Sequence, residues 1–94
     1  MTVTEILTKA GESEEGALRE HAVLLSLAKL SRYQAECASF ARKYSESFES
    51  FRDRVNGMIN EEHFDMEADL MDWEFAHRAR AWWQSRVEEL HDAE

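Results

Sequence analysis

Helix-breaking residues are almost absent from this chain. Proline does not occur, and glycine is found only at Gly11, Gly16 and Gly57. A β-sheet needs frequent turns, which these two residue types usually supply, whereas long helices need neither. Leu, Phe, Trp, Val and Ile recur at regular intervals, which is not the composition of a disordered chain. The sequence therefore predicts an all-α fold.

Chain length adds a second condition. A chain of 94 residues forms one domain near the lower limit of independent stability. A helical protein of this size buries only a thin core and often completes it by dimerising. We therefore expect a homo-oligomer, most simply a dimer.

The N-terminal residues 1–13 form a leader that is expected to be either a short helix or mobile. Thr2 and Glu5 have the spacing of a capping box, and Gly11 would end the short helix. Termini with few apolar residues are often mobile. Residues 14–94 are predicted to form a single helical domain.

A long helix is predicted to open this domain. Ser13 is a suitable N-cap, and no breaker follows Gly16 before Tyr44, so the helix would have about 30 residues and a length of roughly 45 Å. Apolar residues recur along it with helical spacing. They are Val23, Leu27, Leu30, Cys37, Ala41 and Tyr44, flanked by Leu24, Ala28, Tyr33 and Phe40.

Two further helices are predicted in the second half. Ser47 caps a short helix that ends near Gly57, and Asp65 caps the last helix. The last helix carries Leu70, Trp73, Ala76, Trp83, Val87 and Leu90 on one face, with Phe75, Ala79 and Trp82 alongside. The predicted architecture is a long antiparallel hairpin with a short helix between its arms, which dimerisation completes into a helical bundle.

Charge is distributed unevenly between the two halves. Residues 1–47 hold six Lys or Arg against seven acids, and residues 48–94 hold five Arg against thirteen acids, which gives the net charge of −9. Nucleic acids and anionic membranes attract the opposite charge, so neither is an expected partner. A basic protein would be attracted, although negative charge also simply keeps a small protein soluble.

The most acidic segment begins the last helix. It contains Glu61, Glu62, Asp65, Glu67, Asp69, Asp72 and Glu74 without a basic residue between them. These carboxylates have three interpretations. They stabilise the helix start through its dipole, they form a patch for a basic partner, or they bind a divalent metal. Two adjacent tryptophans further along leave one ring to point away from the hairpin. The predicted partner-binding residues are Asp65, Glu67, Asp69, Asp72, Trp73 and Trp82.

Two pairs of residues leave an enzymatic or metal-binding alternative open. Glu74 and His77 have the Glu-x-x-His spacing of metal-binding helical bundles. Arg86 and His91 fit the Arg-x4-His pattern of HEPN-type ribonucleases, in which a dimer joins two such pairs around RNA. No Gly-rich phosphate loop, Ser-His-Asp or Cys-His grouping or zinc-type cluster is present, and no cofactor is expected.

The compartment is expected to be the cytoplasm. Cys37 is the only cysteine, so no disulfide within the chain is possible. The first residues lack the basic flank and apolar stretch of a signal peptide. No apolar run is long enough to span a bilayer.

The second half is similar to small helical proteins encoded beside TumE-type toxins. The similarity covers residues 30–92 and lies in Lys43-Tyr44, Ser47-Phe48-Glu49-Ser50-Phe51, Val55 and Asp69-Leu70-Met71-Asp72-Trp73-Glu74. Ser45 stands where a glycine is expected, and the leader has no counterpart. The resemblance implies a non-enzymatic, antitoxin-like partner that binds and neutralises a basic toxic protein.

Overall fold

The computed structural model describes residues 1–58 and 63–92, and within these ranges all regular structure is helical. The helices are α1 (Val3–Lys9), α2 (Glu14–Tyr44), α3 (Phe48–Asn56) and α4 (Phe64–Asp92). The predicted all-α fold is confirmed. The leader contains a helix, as its capping-box spacing indicates.

Side-chain caps fix three of the four helix starts where the sequence predicts them. The hydroxyls of Thr2, Ser13 and Ser47 accept hydrogen bonds from the backbone amides three residues later, at 3.1, 2.9 and 3.1 Å. Gly11, just beyond the end of α1, has a φ of 78°, a left-handed conformation that glycine adopts without strain. Local sequence therefore defines the beginning of α1, α2 and α3.

The start of α4 differs from the prediction by two residues. The helix begins at Phe64, and the amide of Glu67 bonds to the carbonyl of His63 at 2.9 Å. Asp65 therefore lies inside the first turn and is not the N-cap. Its carboxylate still suits the positive end of the helix dipole, which explains why the acidic pattern marked the boundary so closely.

Helices α2 and α4 pack side by side, with the start of α2 next to the end of α4. The Arg19 guanidinium near the start of α2 donates to the carbonyl of Leu90 near the end of α4, at 2.6 Å. At the other end, Lys43 Nζ lies 2.6 Å from Asp69 Oδ2. The short helix α3 packs mainly against α4 and lies beside the later part of α2.

The buried core lies at the α3 end of this helix pair. Trp73, with 2 % of its surface exposed, stacks on Phe40 and Tyr44 of α2 and meets Phe48 and Phe51 of α3. The buried cluster consists of Tyr33, Cys37, Phe48, Phe51, Val55, Trp73 and Ala76. One aromatic side chain thus joins three helices, which is how a short chain forms a dense core.

The molecule is a rod. Its extents are 64 × 29 × 19 Å and its radius of gyration is 19.6 Å, where a compact chain of this length has about 12 Å. Its accessible surface is 6960 Å² for 11.0 kDa, compared with about 5,600 Å² for a typical monomer. The structure therefore leaves roughly 1,300 Å² more surface in contact with water than a compact monomer does.

Hydropathy along the helices is low for a membrane segment. Among residues 1–58 and 63–92, no helix combines the length and the apolar character that crossing a bilayer requires. The two long helices, α2 and α4, are each interrupted by charged residues at short intervals.

Candidate protein-interaction surface

The predicted partner-binding acids fall into two groups. Asp65, Glu67 and Asp72 are exposed to solvent on α4. Glu61 and Glu62, from the same acidic segment, lie outside the described residues. The exposed acids give the first part of α4 a negative surface that is available to a partner.

Asp69 instead forms a polar contact within the chain. Its Oδ2 accepts hydrogen bonds from Lys43 Nζ at 2.6 Å and from the hydroxyl of Tyr44. The hydrogen bond from Lys43, followed by that from Tyr44, holds the pKa of Asp69 below its ordinary value. Burial, followed by the hydrogen bond to Asp69, raises the pKa of Tyr44. Asp69 therefore ties the end of α2 to the beginning of α4.

A second ion pair joins the α2–α3 connection to the end of α3. Arg54 donates to both carboxylate oxygens of Glu46, with its Nη2 2.7 Å from Oε2. This bidentate contact lowers the pKa of Glu46 and raises that of Arg54. Together with the Asp69 contact, it fixes α3 and the start of α4 relative to α2.

The two tryptophans predicted to bind a partner occupy different environments. Trp73 is inside the chain's own core, so it organises the fold and is not available to a partner. Trp82 is 52 % exposed, with the Arg86 guanidinium 4.6 Å from its ring centroid and the Trp83 ring against it edge-on. Of the adjacent pair Trp82 and Trp83, the first therefore points outward.

An apolar line on the outer side of α4 was missed by the sequence analysis. Phe64, Met71, Phe75 and Trp82 follow one another at intervals of seven, four and seven residues, and we call this set the outer line. All four side chains are between 52 % and 71 % exposed. The spacing is the signal that would have found it, because it keeps residues on one helix face. The sequence places Phe75 and Trp82 alongside the predicted apolar face, and of the four residues only Trp82 is predicted to bind a partner.

A groove beside Phe75 joins this line to α2. It has a volume of about 390 Å³ and is lined by Arg32, Tyr33, Glu36, Ser39, Phe40, Asp72 and Phe75. The rings of Tyr33 and Phe75 meet edge-on with centroids 5.9 Å apart. Arg32 lies over the Tyr33 ring, 5.3 Å from its centroid, and pairs with Glu36 at 3.2 Å. The groove thus combines aromatic walls with carboxylates.

The far end of the rod carries a second set of exposed apolar residues. We call residues 14–29 of α2 and 80–92 of α4 the open end; within these ranges Ser26 is the only buried residue. Leu18, Leu24, Leu25 and Leu27 are exposed there, although the sequence predicts Leu24 and Leu27 in the helix contact. Between the helices, a cavity of about 180 Å³ is lined by Val23, Leu27, Val87, Leu90 and His91.

The Glu74–His77 pair is occupied by other contacts. Glu74 forms an ion pair with Arg78 at 2.6 Å, while the His77 ring stacks on Phe48 with centroids 4.5 Å apart. His77 Nδ1 is also 3.4 Å from Arg80. In the part of the chain that the structure describes, no group of three His, Cys, Asp or Glu side chains is arranged to hold a metal ion.

Arg86 and His91 likewise contact different groups. The Arg86 guanidinium bonds to Glu89 at 2.7 Å and covers the ring of Trp82. His91 lines the cavity between Val23, Leu27, Val87 and Leu90. The carboxylate of Glu89 beside this guanidinium weakens its attraction for an RNA phosphate.

Comparison with known proteins adds no further assignment. No family model, curated protein or solved structure matches this chain. A function is therefore inferred from the arrangement of its own residues, an acidic and apolar helix surface on a rod.

Proposed function

We propose that this chain is a non-enzymatic protein-interaction domain: an antiparallel hairpin of α2 and α4 that dimerises and binds a basic protein. The main observation that supports this proposal is the surplus of roughly 1,300 Å² of accessible surface relative to a compact monomer. A stable interface covers about 800 Å² on each partner. The surplus is therefore large enough for one interface and part of a second.

The dimer contact is assigned to the open end. Leu24 and Leu27 of α2 are exposed there beside the incompletely filled space between α2 and α4. Residues 14–29 and 80–92 together carry four Lys or Arg and six Asp or Glu, so two copies meet there without strong repulsion. Pairing two open ends gives each copy the apolar neighbours that it lacks and forms a four-helix arrangement.

The basic partner is assigned to the first half of α4. Asp65, Glu67 and Asp72 are exposed there, and the second half of the sequence carries a net charge of −8. Attraction between opposite charges accelerates encounter and disfavours neutral or acidic competitors. As the resemblance to proteins encoded beside TumE-type toxins implies, the proposal includes an antitoxin-like role in the cytoplasm, in which this chain binds and neutralises a toxic basic protein.

The experiment that tests this function is affinity purification of the tagged chain from its native cells at near-physiological salt. The expected result is a basic protein in stoichiometric amount, which dissociates when the salt concentration is raised. As a control, an Asp65→Asn/Glu67→Gln/Asp72→Asn variant should recover less of the same protein. Recovery of the chain alone, in repeated experiments and as a folded species, contradicts the proposal.

A further inference from the structure

The outer line of α4 has the length and spacing of a helix-binding surface. Phe64 and Trp82 are 18 positions apart, which is roughly 27 Å along a helix, and Met71 and Phe75 lie between them. Ala68 and Arg78 complete an alternation of four and three residues, the heptad spacing by which one helix packs against another. A helix of about five turns matches this length.

The chain's own helices leave this surface uncovered. Phe75 is two positions from both Trp73 and His77, so it is about 200° around the helix from each of these two residues. Helix α3 contacts α4 at Trp73 and His77 through Phe48, and therefore covers the opposite side. The outer line remains exposed along its whole length, with Phe75 touching α2 only at its edge.

The charges beside the line decide between a second copy and a different partner. Asp65 and Asp72 lie along one side of the outer line, and Glu67 and Glu74 lie along its other side. In a helix pair these flanking positions face their counterparts. Pairing with a second copy would set carboxylates against carboxylates in either orientation, whereas a helix with Lys or Arg at these positions would neutralise them.

The groove beside Phe75 suits one long basic side chain. An aliphatic stem would lie between the rings of Tyr33, Phe40 and Phe75, and the charged head would reach Asp72. The guanidinium of Arg32, over Tyr33 and paired with Glu36, already has this type of environment. The groove lies next to the outer line, so the same partner helix reaches both.

We infer that the outer line of α4 binds an amphipathic basic helix of the partner protein, with one Arg or Lys of that helix entering the groove beside Phe75. This inference rests on the proposed function and specifies the surface and the chemistry of the partner. It places the partner on α4 and the second copy at the open end, so one chain holds both at once.

The test is a calorimetric titration of the full-length chain with a synthetic three-heptad peptide that has Leu at the a and d positions and Arg at the flanking positions. A peptide of the same composition in scrambled order is the control. We expect the heptad peptide to bind at least about tenfold more tightly, because only it presents an apolar line between basic flanks. Equal affinity for the two peptides overturns the inference.

Matched variants of the chain locate the contact. Met71→Gln/Phe75→Gln should weaken peptide binding at least about tenfold, since two apolar contacts are lost, while Leu24→Gln/Leu27→Gln at the open end should leave it within about twofold. Asp72→Asn should weaken binding more than Asp53→Asn, an exposed carboxylate on α3 with the same charge change. Equal losses within either pair would mean non-specific attraction and overturn the inference.

Two further readouts separate this inference from the proposed function. If the Met71→Gln/Phe75→Gln variant still recovers the native partner in full, the inferred surface is wrong while the proposed function stands. If neither this variant nor the unmodified chain recovers a partner, the proposed function itself fails. A variant that becomes monomeric would show that the outer line is a dimer contact, which also overturns the inference.

Discussion

The two ends of this rod are built from the same helices but differ in how much they bury. At the closed end, which we define as residues 30–44 of α2, α3 and residues 64–79 of α4, α3 adds Phe48, Phe51 and Val55 to the core around Trp73. At the open end α1 contacts α2 but not α4, so within the described residues no third helix packs on both, and leucines face solvent. The difference shows that two helices need a third element packed on both of them to enclose an apolar core, and within the described residues only the closed end has one.

The largest expected effect is a loss of stability at the closed end. Phe51→Ala removes a side chain with no exposed surface that stacks on Tyr44 and contacts Trp73, and should lower the free energy of unfolding by about 3–5 kcal/mol. Val87→Ala, at a half-buried position of the open end, should cost about 1 kcal/mol. Urea unfolding at fixed protein concentration measures both. Equal losses would mean that the two ends are packed alike.

The second-largest expected effect is a weakening of the dimer when the open end is changed. Leu24→Gln/Leu27→Gln keeps helix-favouring side chains but removes two exposed leucines from the proposed contact. The dissociation constant of the dimer should rise at least about 100-fold, because burying each leucine contributes about 1.5–3 kcal/mol. Sedimentation equilibrium measures the constant. Met71→Gln on the outer line is the control and should leave it unchanged.

A smaller effect, a gain in stability, is expected from a substitution at the end of α2. Ser45 has a φ of 53°, the one non-glycine residue of the described chain in the left-handed region. A side chain there costs about 1 kcal/mol, which glycine avoids. Ser45→Gly should therefore raise the free energy of unfolding by up to about 1 kcal/mol, reduced by the greater freedom of glycine in the unfolded chain. A loss of stability in urea unfolding would contradict this explanation.

The smallest effect is a pH dependence at the closed end. Hydrogen bonds from Lys43 and Tyr44 lower the pKa of Asp69, so the contact stabilises the fold above the ordinary carboxyl pKa of about 4. This stabilisation is lost as the pH falls through the lowered pKa of Asp69. Asp69→Asn should be less stable at pH 7 and lose less stability on acidification. Parallel pH profiles for the variant and the unmodified chain would contradict this role.

Much of the fold follows from local sequence signals. Thr2, Ser13 and Ser47 cap helices where their side chains and spacing predict, and the absence of breakers sets the length of α2. Ser45, which ends α2, has a left-handed backbone, the conformation that glycine favours. Such signals act within a few residues, so the sequence alone contains them.

The site was less predictable because it depends on which faces are covered. Periodicity places Trp73 and Phe75 on opposite faces of one helix, but the packing of α2 and α3 decides that the face of Trp73 is the buried one. The sequence likewise cannot show that Asp69 is held by Lys43 and Tyr44 from α2. For the same reason, Leu24 and Leu27 satisfy the apolar pattern of α2 and yet remain exposed.

The central claim is that the apolar surface left open by one copy is covered by another molecule. Analytical ultracentrifugation of the purified chain over a range of concentrations tests it most directly. The account predicts a reversible dimer with twice the 11.0 kDa mass of one chain, and a melting temperature that rises with protein concentration. A folded 11.0 kDa monomer whose melting temperature is independent of concentration would contradict it.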